Sequence, residues 1–349
     1  MKNSRINTGS ITVDDVAEDA GVSIKTVSRV LNHEPNVSEK TRQKVAESMA
    51  RLGYQPNPSA RGLASKRTNI IALVYDNPSD NYVVNLQRGA LQACGIYDYS
   101  LLLLPCDYRA PDLSAHIVQS LRQRALTGMI LTPPVCDVAA LTQALDETGV
   151  DYVRLSPIDR QHHGMSVSMD DRSAARDMTL HLIGLGHRRI GFVSGHPDHG
   201  AAHERLAGYR EAMRQSGLPV DESLIEQGTH AFESGIECGR RLLARTPRPT
   251  AIFAGNDDMA AGVLYAAHAQ GLDVPGALSV VGYDDTPLSR QVWPSLTTVR
   301  QPIQAMAYAA IEQIAAVQRP QHPGLKRHPV SEILEYELVI RDSTRTPAV

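Results

Sequence analysis

The sequence predicts an α/β protein in which a helix-turn-helix head of three helices and a short hinge helix precede a two-lobed α/β body. The first observation is the stretch Thr12 to Leu31, where apolar residues at helical spacing flank one glycine. The second is a pair of prolines, Pro56 and Pro58, at the end of the head. The third is a change after Asn69 to strands that alternate with helices. The predicted domains are residues 1–56, 57–68 and 69–345.

The stretch from Thr12 to Leu31 predicts two short helices joined by a tight turn. Thr12 is an N-cap, and Asp15 three residues later completes a capping box. Gly21 supplies a turn that a residue with a Cβ would resist, and Ser23 caps the second helix. The second helix then presents its N-terminal end outward, which is the geometry that inserts a helix into the major groove of DNA. The residues on or near its outer face are Ile24, Lys25, Thr26, Ser28 and Arg29.

A third helix and a hinge segment complete the predicted head. Ser38 caps the third helix, Gly53 ends it, and the two prolines prevent its continuation. Residues 59–65 suffice for two helical turns, which is too short for a helix that is stable in isolation. We therefore expect this segment to order only when DNA or a partner chain supports it.

Charge and cysteine usage narrow the class of protein. Residues 1–68 carry 11 Lys and Arg against 7 Asp and Glu, so a basic head precedes an acidic remainder in a chain of net charge −3. A basic head suits contact with phosphates. The four cysteines form no CxxC pair, which favours a reducing compartment. We find no signal peptide and no apolar run of about 18 residues, so we expect a cytoplasmic protein with no membrane partner.

From Asn69 onward, short apolar runs alternate with helical segments. The strands of the first α/β unit are NIIALVY, SLLLLPCD, GMILTPP and DYVRLSP, and those of the second are RIGFVSG, LIEQG, AIFAGN and SVVGYDD. This order predicts parallel sheets with helices on both faces, and two units in tandem suggest two lobes. One final strand, EILEYELVI, is expected near the end of the chain.

Polar residues follow the predicted strands, where ligands bind in open α/β sheets. A set of donors and acceptors around one cleft suits a polyhydroxyl ligand. The strand-end residues are Tyr75, Asp76, Thr132, Ser156, Gly195, Asn256 and Asp284.

Residues 11–67 resemble the LacI family of bacterial transcription regulators, through the segments DVAEDAGVSIKTVSRVLN, VSEKTRQKV, LGYQPN and ARGLA. The resemblance implies that Ile24 and Lys25 read bases and that Leu63 of the hinge helix wedges into the minor groove. We also expect phosphate contacts from Arg29, Arg61, Lys66 and Arg67, which would supply salt-dependent affinity. The full set of candidate DNA-binding residues is Thr12, Ser23, Ile24, Lys25, Thr26, Ser28, Arg29, Asn32, Asn57, Ala60, Arg61 and Leu63.

The same resemblance implies a body similar to periplasmic sugar-binding proteins, with both lobes discontinuous. The first lobe would comprise about 69–168 and 299–328, and the second about 169–298 and 329–345. The segments HERLAGY, AGNDDMAAG and VVGYDD place Arg205, Asn256 and Asp284 at effector positions, and His230 stands where relatives carry Trp or Phe. The candidate effector-binding residues are Tyr82, Thr132, Ser156, Arg205, His230, Asn256, Asp284 and Trp293.

Structural roles remain open for several of these residues. Ile24 could instead belong to the core of the head. Lys25 and Arg29 could instead be solvated surface charges. The alternative for Arg205 and Asp284 is a structural salt bridge, and the alternative for Asn256 is a loop-capping amide. Tyr82 and Trp293 could instead be packing residues. The loop GHPDHGAAHER has metal-ligand spacing at His199 and His203, and the pairs Asp170–Asp171 and Asp284–Asp285 are weak candidates for paired catalytic acids.

The expected function is that of a sequence-specific DNA-binding repressor of carbohydrate-utilisation genes, released from a palindromic operator by a small sugar. No cofactor or catalytic residue is expected. The segment after Ile340 has no leucine heptads, so we expect a homodimer. The alternatives are a soluble carbohydrate-binding protein and a sugar-modifying enzyme on the same two-lobed fold.

Overall fold

The computed structural model describes residues 11–31, 37–54, 68–158, 164–318 and 331–347. The chain divides into two compact units, Met1–Thr68 and Asn69–Val349. No helix within the described ranges is both long and apolar enough to cross a membrane. The predicted DNA-contact residues Asn32, Asn57, Ala60, Arg61, Leu63, Lys66 and Arg67 lie outside the described residues.

The head contains the helices α1 (Val13–Ala20), α2 (Ile24–Leu31) and α3 (Glu39–Leu52). The capping box is confirmed, because the Thr12 N–H donates to the Asp15 carboxylate at 2.7 Å and the Asp15 N–H donates to Thr12 Oγ1 at 3.4 Å. Gly21 has φ +64°, a conformation that favours glycine. The residues at the two ends of α1 therefore determine where this helix begins and where the chain turns toward α2.

The core of the head is small, so it leaves most of α2 at the surface. Its fully or nearly buried apolar residues are Val16, Ala17, Ala20, Val27 and Val45. Ile24 is 53% exposed and is not part of this core. Lys25 and Ser28 are also exposed, while Thr26 and Arg29 are half-buried. The outer face of α2 thus carries the residue types expected there.

The first lobe is built on a parallel sheet of β1 (Ile70–Tyr75), β2 (Ser100–Pro105), β3 (Gly128–Leu131), β4 (Asp151–Leu155), β5 (Met165–Met169) and β11 (Ser331–Leu334). The strand order is β11-β5-β4-β3-β1-β2. Its helices are α4 (Asp80–Tyr97), α5 (Leu113–Arg124), α6 (Ala139–Thr148) and α11 (Ile303–Gln318). One apolar cluster joins α4 and α11 to the sheet, and a second joins α5 and α6 to it, so both faces are covered.

The second lobe repeats this architecture on a smaller sheet of β6 (Ile190–Ser194), β7 (Ile225–Gln227), β8 (Ala251–Ala254) and β9 (Ser279–Val281). The strand order is β7-β6-β8-β9, and all pairs are parallel. Its helices are α7 (Asp171–Gly184), α8 (Gly200–Gln215), α9 (Phe232–Leu243) and α10 (Asp257–Ala269). The predicted pair of parallel sheets with helices on both faces is therefore confirmed.

The end of the chain differs from the prediction. The single strand expected for EILEYELVI is instead two strands, β11 and β12 (Glu337–Val339), that belong to different sheets. β11 pairs with β5 in the first lobe, whereas β12 pairs antiparallel with β10 (Thr298–Arg300). Tyr336 between them packs into the second lobe and donates its hydroxyl to Asp177 at 2.7 Å. The chain therefore changes lobe inside this segment, and assigning all of 329–345 to the second lobe is wrong for 331–334.

Gly89 permits a close approach between α4 and α11. A Cβ built on Gly89 would lie 1.9 Å from the carbonyl oxygen of Gln304, which is backbone and cannot rotate away. Gly95 lies in the same helix, is exposed, and has nothing within 4 Å of its ideal Cβ. Gly89 and Gly95 therefore allow a comparison between a crowded position and an open position of the same helix.

We expect Gly89→Ala to lower the free energy of unfolding by about 2–3 kcal/mol, because the added methyl group forces the two helices apart. Gly95→Ala should raise it by about 0.5–1 kcal/mol, because alanine is a better helix former. Urea denaturation followed by circular dichroism measures both. Equal effects of the two substitutions would contradict the close approach.

Candidate functional site

A cavity lies between the two lobes, close to the carboxyl ends of the parallel strands. It encloses about 430 Å³ including its opening to solvent. Ser156 follows β4 directly, and Asn256 and Asp284 follow β8 and β9 within three residues. The cavity is lined by Asn77, Ser79, Tyr82, Pro133, Ser156, His199, Ala201, Arg205, His230, Asn256, Asp284 and Gln301.

The structure brings together six of the eight candidate effector residues, namely Tyr82, Ser156, Arg205, His230, Asn256 and Asp284. Thr132 is fully buried beside the lining residue Pro133, and its hydroxyl donates to the Val74 carbonyl at 3.3 Å. Trp293 is not among the residues that line this cavity. It follows the short helix Pro287–Arg290 on the surface and is 82% exposed, which also excludes the packing role.

Arg205 is the centre of a buried polar network in the second lobe. Its Nε donates to Asp171 Oδ1 at 2.9 Å and its Nη1 donates to the Gly255 carbonyl at 2.6 Å. Its guanidinium carbon lies 3.6 Å from the centre of the Tyr283 ring. Burial disfavours the charge of Arg205, but the Asp171 carboxylate and its neighbours hold the pKa of Arg205 above its ordinary value.

The structural salt bridge between Arg205 and Asp284, the alternative to effector binding, is present only as a long ion pair. The Arg205 Nη1 to Asp284 Oδ1 distance is 3.7 Å, outside hydrogen-bonding range, whereas Asp171 is in direct contact. Asp171 also accepts the Tyr283 hydroxyl at 2.9 Å. The sequence shows Asp171 only as half of an adjacent acid pair, so its role as the partner of Arg205 was missed. A buried arginine requires a nearby carboxylate, and that requirement was the available signal.

Asn256 performs the capping role that was weighed as its alternative. Its Oδ1 accepts the Met259 N–H at 2.9 Å and its Nδ2 donates to the His230 carbonyl at 2.9 Å. The side chain thereby begins α10 and holds the loop that carries His230. It also lines the cavity, so the capping amide and the cavity wall are one group.

His230 forms a neutral aromatic wall together with His199. The two ring centroids are 4.8 Å apart. The His196 N–H donates to His230 Nδ1 at 3.3 Å, which assigns the proton of the neutral ring to Nε2. Burial lowers the pKa of His230 well below its ordinary value and that of His199 to about 4. Both rings are therefore neutral at pH 7.

Several strand-end residues of the cavity have strained backbone. Ser156, His230 and Asp284 have φ of +43°, +67° and +106°. Each such conformation costs about 1–3 kcal/mol in a residue with a Cβ, and it persists only when its surroundings enforce it. The strain aims three polar side chains at one space, as is typical of binding sites.

Two sets of contacts join the lobes beside the cavity. At one, Tyr108 donates its hydroxyl to Asp198 and Arg109 donates to the same carboxylate at 2.9 Å. At the other, Ser79 Oγ donates to Asp258 at 2.5 Å and Asn81 Nδ2 donates to it at 3.3 Å. The protein's own side chains therefore hold the lobes against each other.

The candidate DNA-contact residues within the described head divide into two groups. Thr12 caps α1, and Ser23 accepts the Thr26 N–H at 3.2 Å to cap α2. Ile24, Lys25 and Ser28 expose their side chains on the outer face of α2. The first group orients the helices and the second forms the outward surface.

A helix-turn-helix head joined to a two-lobed body with a polar inter-lobe cavity defines a ligand-binding regulator of transcription. Comparison with known proteins identifies the family. Residues 12–57 match the model for bacterial regulatory proteins of the lacI family, and residues 179–344 match that for a periplasmic binding protein-like domain. Catabolite control protein A of Priestia megaterium is 38% identical over 295 residues, 84% of this chain and 88% of that protein. The HTH-type transcriptional regulator GalR of Escherichia coli K12 is 33% identical over 97% of both chains.

Solved structures agree with these relatives. The lac repressor dimer bound to operator and the anti-inducer ONPF is 28% identical, with a TM-score of 0.78 over 97% of this chain and 100% of that chain. The complex of the transcriptional regulator CelR with cellobiose is 32% identical, with a TM-score of 0.72 over 95% of this chain and 99% of that chain. The chain therefore belongs to the LacI family of DNA-binding transcriptional regulators. The predicted family and fold class are confirmed.

The depressed pKa of His199 makes stability depend on pH. Below its ordinary pKa of 6.5, an unfolded chain protonates His199, whereas the folded chain does so only near pH 4. The folded state is therefore most stable above pH 6.5, and its free energy of unfolding falls as the pH decreases from 6.5 to 4. We expect His199→Gln to remove about 2–3 kcal/mol of this decline in the free energy of unfolding, measured by urea denaturation between pH 6.5 and 4.

The control is His203→Gln, on an exposed residue of α8 four positions after His199. It should keep the pH dependence of the unsubstituted protein. A His199→Gln profile that overlies the His203→Gln profile would show that the folded protein does not disfavour the charge on His199.

Proposed function

We propose that the protein is a homodimeric repressor of carbohydrate-utilisation genes that acts in the cytoplasm and is released from a palindromic operator when a small sugar fills the inter-lobe cavity. The observation that carries this proposal is the cavity itself, which gathers buried polar side chains from both lobes. A ligand held between the lobes stabilises the arrangement in which all those groups meet it. The CelR–cellobiose complex, which this chain is similar to, supports a sugar as the ligand class.

The head would bind DNA through α2 in the major groove. The exposed Ile24 and Lys25 are suited to reading bases, and Ser28 and Arg29 to contacting bases or phosphates. Lys25 would favour guanine, whose O6 and N7 both accept hydrogen bonds. We further propose that Arg61, Lys66 and Arg67 contact phosphates and that Asn57, Ala60 and Leu63 form the hinge that bends the operator centre.

A homodimer is supported by large apolar side chains that the body exposes in both lobes. Val84 and Leu91 lie about two turns apart on the same face of α4, and Leu91 is 56% exposed. Phe232 and Tyr265 lie on the second lobe with ring centroids 6.1 Å apart, and Tyr265 is 53% exposed. Apolar groups of this size at a surface favour an interface, and a second copy would also supply the second head for a palindrome.

Lys25→Ala should weaken the preference for guanine at one position in each half-site by about 1–3 kcal/mol. Selection of binding sites from a random DNA library by the full chain measures this preference. The sites selected by the unsubstituted protein should be inverted repeats. Exposed Lys40 of α3 offers a control, because Lys40→Ala should leave base preference unchanged. An unaltered preference in Lys25→Ala would refute the assignment.

The induction mechanism is tested by titrating operator binding against a panel of monosaccharides and disaccharides. We expect at least one sugar to lower operator affinity about 5- to 150-fold, the usual range of allosteric coupling, and to be recovered chemically unchanged. Ser156→Ala should raise the sugar concentration required by about 3- to 10-fold, because it removes a hydroxyl that lines the cavity.

The matched control is Ser216→Ala, an exposed serine at the end of α8. It should respond to the sugar like the unsubstituted protein. If no sugar changes operator affinity, the sugar-release proposal fails, and turnover of a sugar would favour the enzyme alternative.

A further inference from the structure

One contact between the lobes lies directly beyond the cavity wall. Tyr108 and Arg109, in the segment after β2, both donate to the carboxylate of Asp198 in the loop between β6 and α8, with Arg109 Nη2 at 2.9 Å from Asp198 Oδ2. Arg109 Nη2 also lies 3.3 Å from His196 Nε2. The ring of His196 is in turn 5.6 Å from that of His199, which lines the cavity. We call the contact of Tyr108 and Arg109 with Asp198 the Asp198 contact.

Two other borders of the cavity are less open to solvent. Ser79 lines the cavity, is 3% exposed and donates to Asp258 at 2.5 Å. Gln301 lines it on the segment that joins β10, packed in the second lobe, to α11 of the first, so a covalent connection closes that border. In the Asp198 contact the side chains of Arg109 and Asp198 are 61% and 45% exposed. Of these three borders, the Asp198 contact is therefore the one that faces solvent.

The Asp198 contact is well oriented but weak. Hydrogen bonds from Tyr108 and Arg109 lower the pKa of Asp198 below its ordinary value, so this carboxylate is charged at pH 7. The Tyr108 N–H donates to Asp76 Oδ2 at 3.0 Å, which fixes the segment to the end of β1. Water and salt compete with exposed ion pairs and hydrogen bonds, so such contacts add little to stability. A ligand that needs this space can displace the contact at a modest cost in affinity.

The cavity behind the contact has room for a compact ligand. Its volume of about 430 Å³ already includes the opening, and ligand sites usually measure roughly 300–1,000 Å³. The neutral rings of His199 and His230 form its wall on the side of the Asp198 contact. A ligand that extends past His199 therefore meets the side chains that join the lobes.

We propose that the Asp198 contact limits the length of the effector, because the lobes close fully over a single sugar ring, whereas the second ring of a disaccharide displaces Tyr108 and Arg109 from Asp198. This inference rests on the proposed function, since it takes the cavity as the sugar site. It adds a size class to the ligand and assigns the selection to three side chains outside the cavity lining.

The experiment compares hexoses with the disaccharides that contain them. Glucose with maltose and cellobiose, galactose with lactose and melibiose, and fructose with sucrose are titrated into the full chain by isothermal titration calorimetry. The same sugars are then tested for release of the operator. We expect a hexose that binds to do so at least about 10-fold more tightly than each of its disaccharides.

Two substitutions test the role of the contact. Asp198→Ala should reduce the ratio of the disaccharide to the hexose dissociation constant about 3- to 10-fold, and Tyr108→Phe, which removes one hydroxyl, about 2- to 5-fold. The contact is present in the complex with one ring and absent from the complex with two. The ratio therefore reports its strength whatever the lobe arrangement of the free protein, and a loss of folding stability alone would leave the ratio unchanged.

The matched control is Asp112→Ala. Asp112 lies four residues after Tyr108, is exposed, and makes no side-chain capping bond to α5. Its substitution removes the same charge from the same side of the contact and should leave the ratio within about twofold of the unsubstituted value. An equal fall in Asp112→Ala and Asp198→Ala would overturn the assignment to the contact.

The outcomes separate this inference from the proposed function. A disaccharide that binds the unsubstituted protein as tightly as its hexose would overturn the size limit and leave sugar-controlled release intact. If a hexose binds without releasing the operator, the proposed function fails and the ratio still decides on the Asp198 contact. Absence of binding by every sugar of the set would overturn the inference. If Asp198→Ala does not fold, the ratio in Tyr108→Phe decides.

Discussion

The buried pair of Arg205 and Asp171 is the interaction on which the binding site depends. It joins α8 to the first turn of α7, and through the Gly255 carbonyl it also fixes the loop after β8. The ring of Tyr283, held 3.6 Å from the guanidinium and hydrogen-bonded to Asp171, extends this contact to the segment after β9. Breaking such a buried pair from one side costs about 3–5 kcal/mol, because it leaves an uncompensated charge. Four segments of the second lobe are therefore held in one arrangement.

This arrangement explains why neighbouring carboxylates differ so much. Tyr283 and Asp284 are adjacent, yet the first is bound into the network and the second is left facing the cavity with φ +106°. Asp285 turns the other way, where Arg300 and Arg341 hold its pKa below the ordinary value in spite of its burial. The strained backbone separates a structural carboxylate from one that is available to a ligand. A relaxed strand end would not hold two consecutive aspartates in such different surroundings.

Local features of the sequence predicted local structure well. Thr12, Gly21, Ser38 and Gly53 act through residues within one helical turn, so the head could be read directly from the chain. The lining residues Arg205, His230 and Asn256 were predicted through family motifs. Contacts between distant residues were not predicted, because nothing in the pattern around Asp171 indicates an arginine 34 positions away.

The differences between the sequence-based expectations and the structure have a similar origin. Trp293 was assigned to the cavity because it is the only tryptophan and follows a strand-end loop, but the side on which such a loop lies depends on tertiary packing. The segment EILEYELVI has the alternation of one strand, yet Tyr336 anchors its middle to the second lobe while β11 remains in the first. A period of two residues predicts an extended chain and does not say which sheet edge it joins.

The atoms that hold the two lobes together differ from the atoms of the cavity that are left for a ligand. Asp198 and Asp258 join the lobes by hydrogen bonds that are already complete, so these contacts favour closure over any ligand that leaves them intact. Asp284, Ser156 and Gln301 each keep a buried polar atom without a hydrogen-bond partner among the described residues, so on the proposed function they would distinguish one ligand from another. A ligand can shift the equilibrium between lobe arrangements only by its difference in affinity for them. On the proposed function, that difference would be largest for the cavity groups that have no hydrogen-bond partner among the described residues, so these groups would contribute most to the choice of effector.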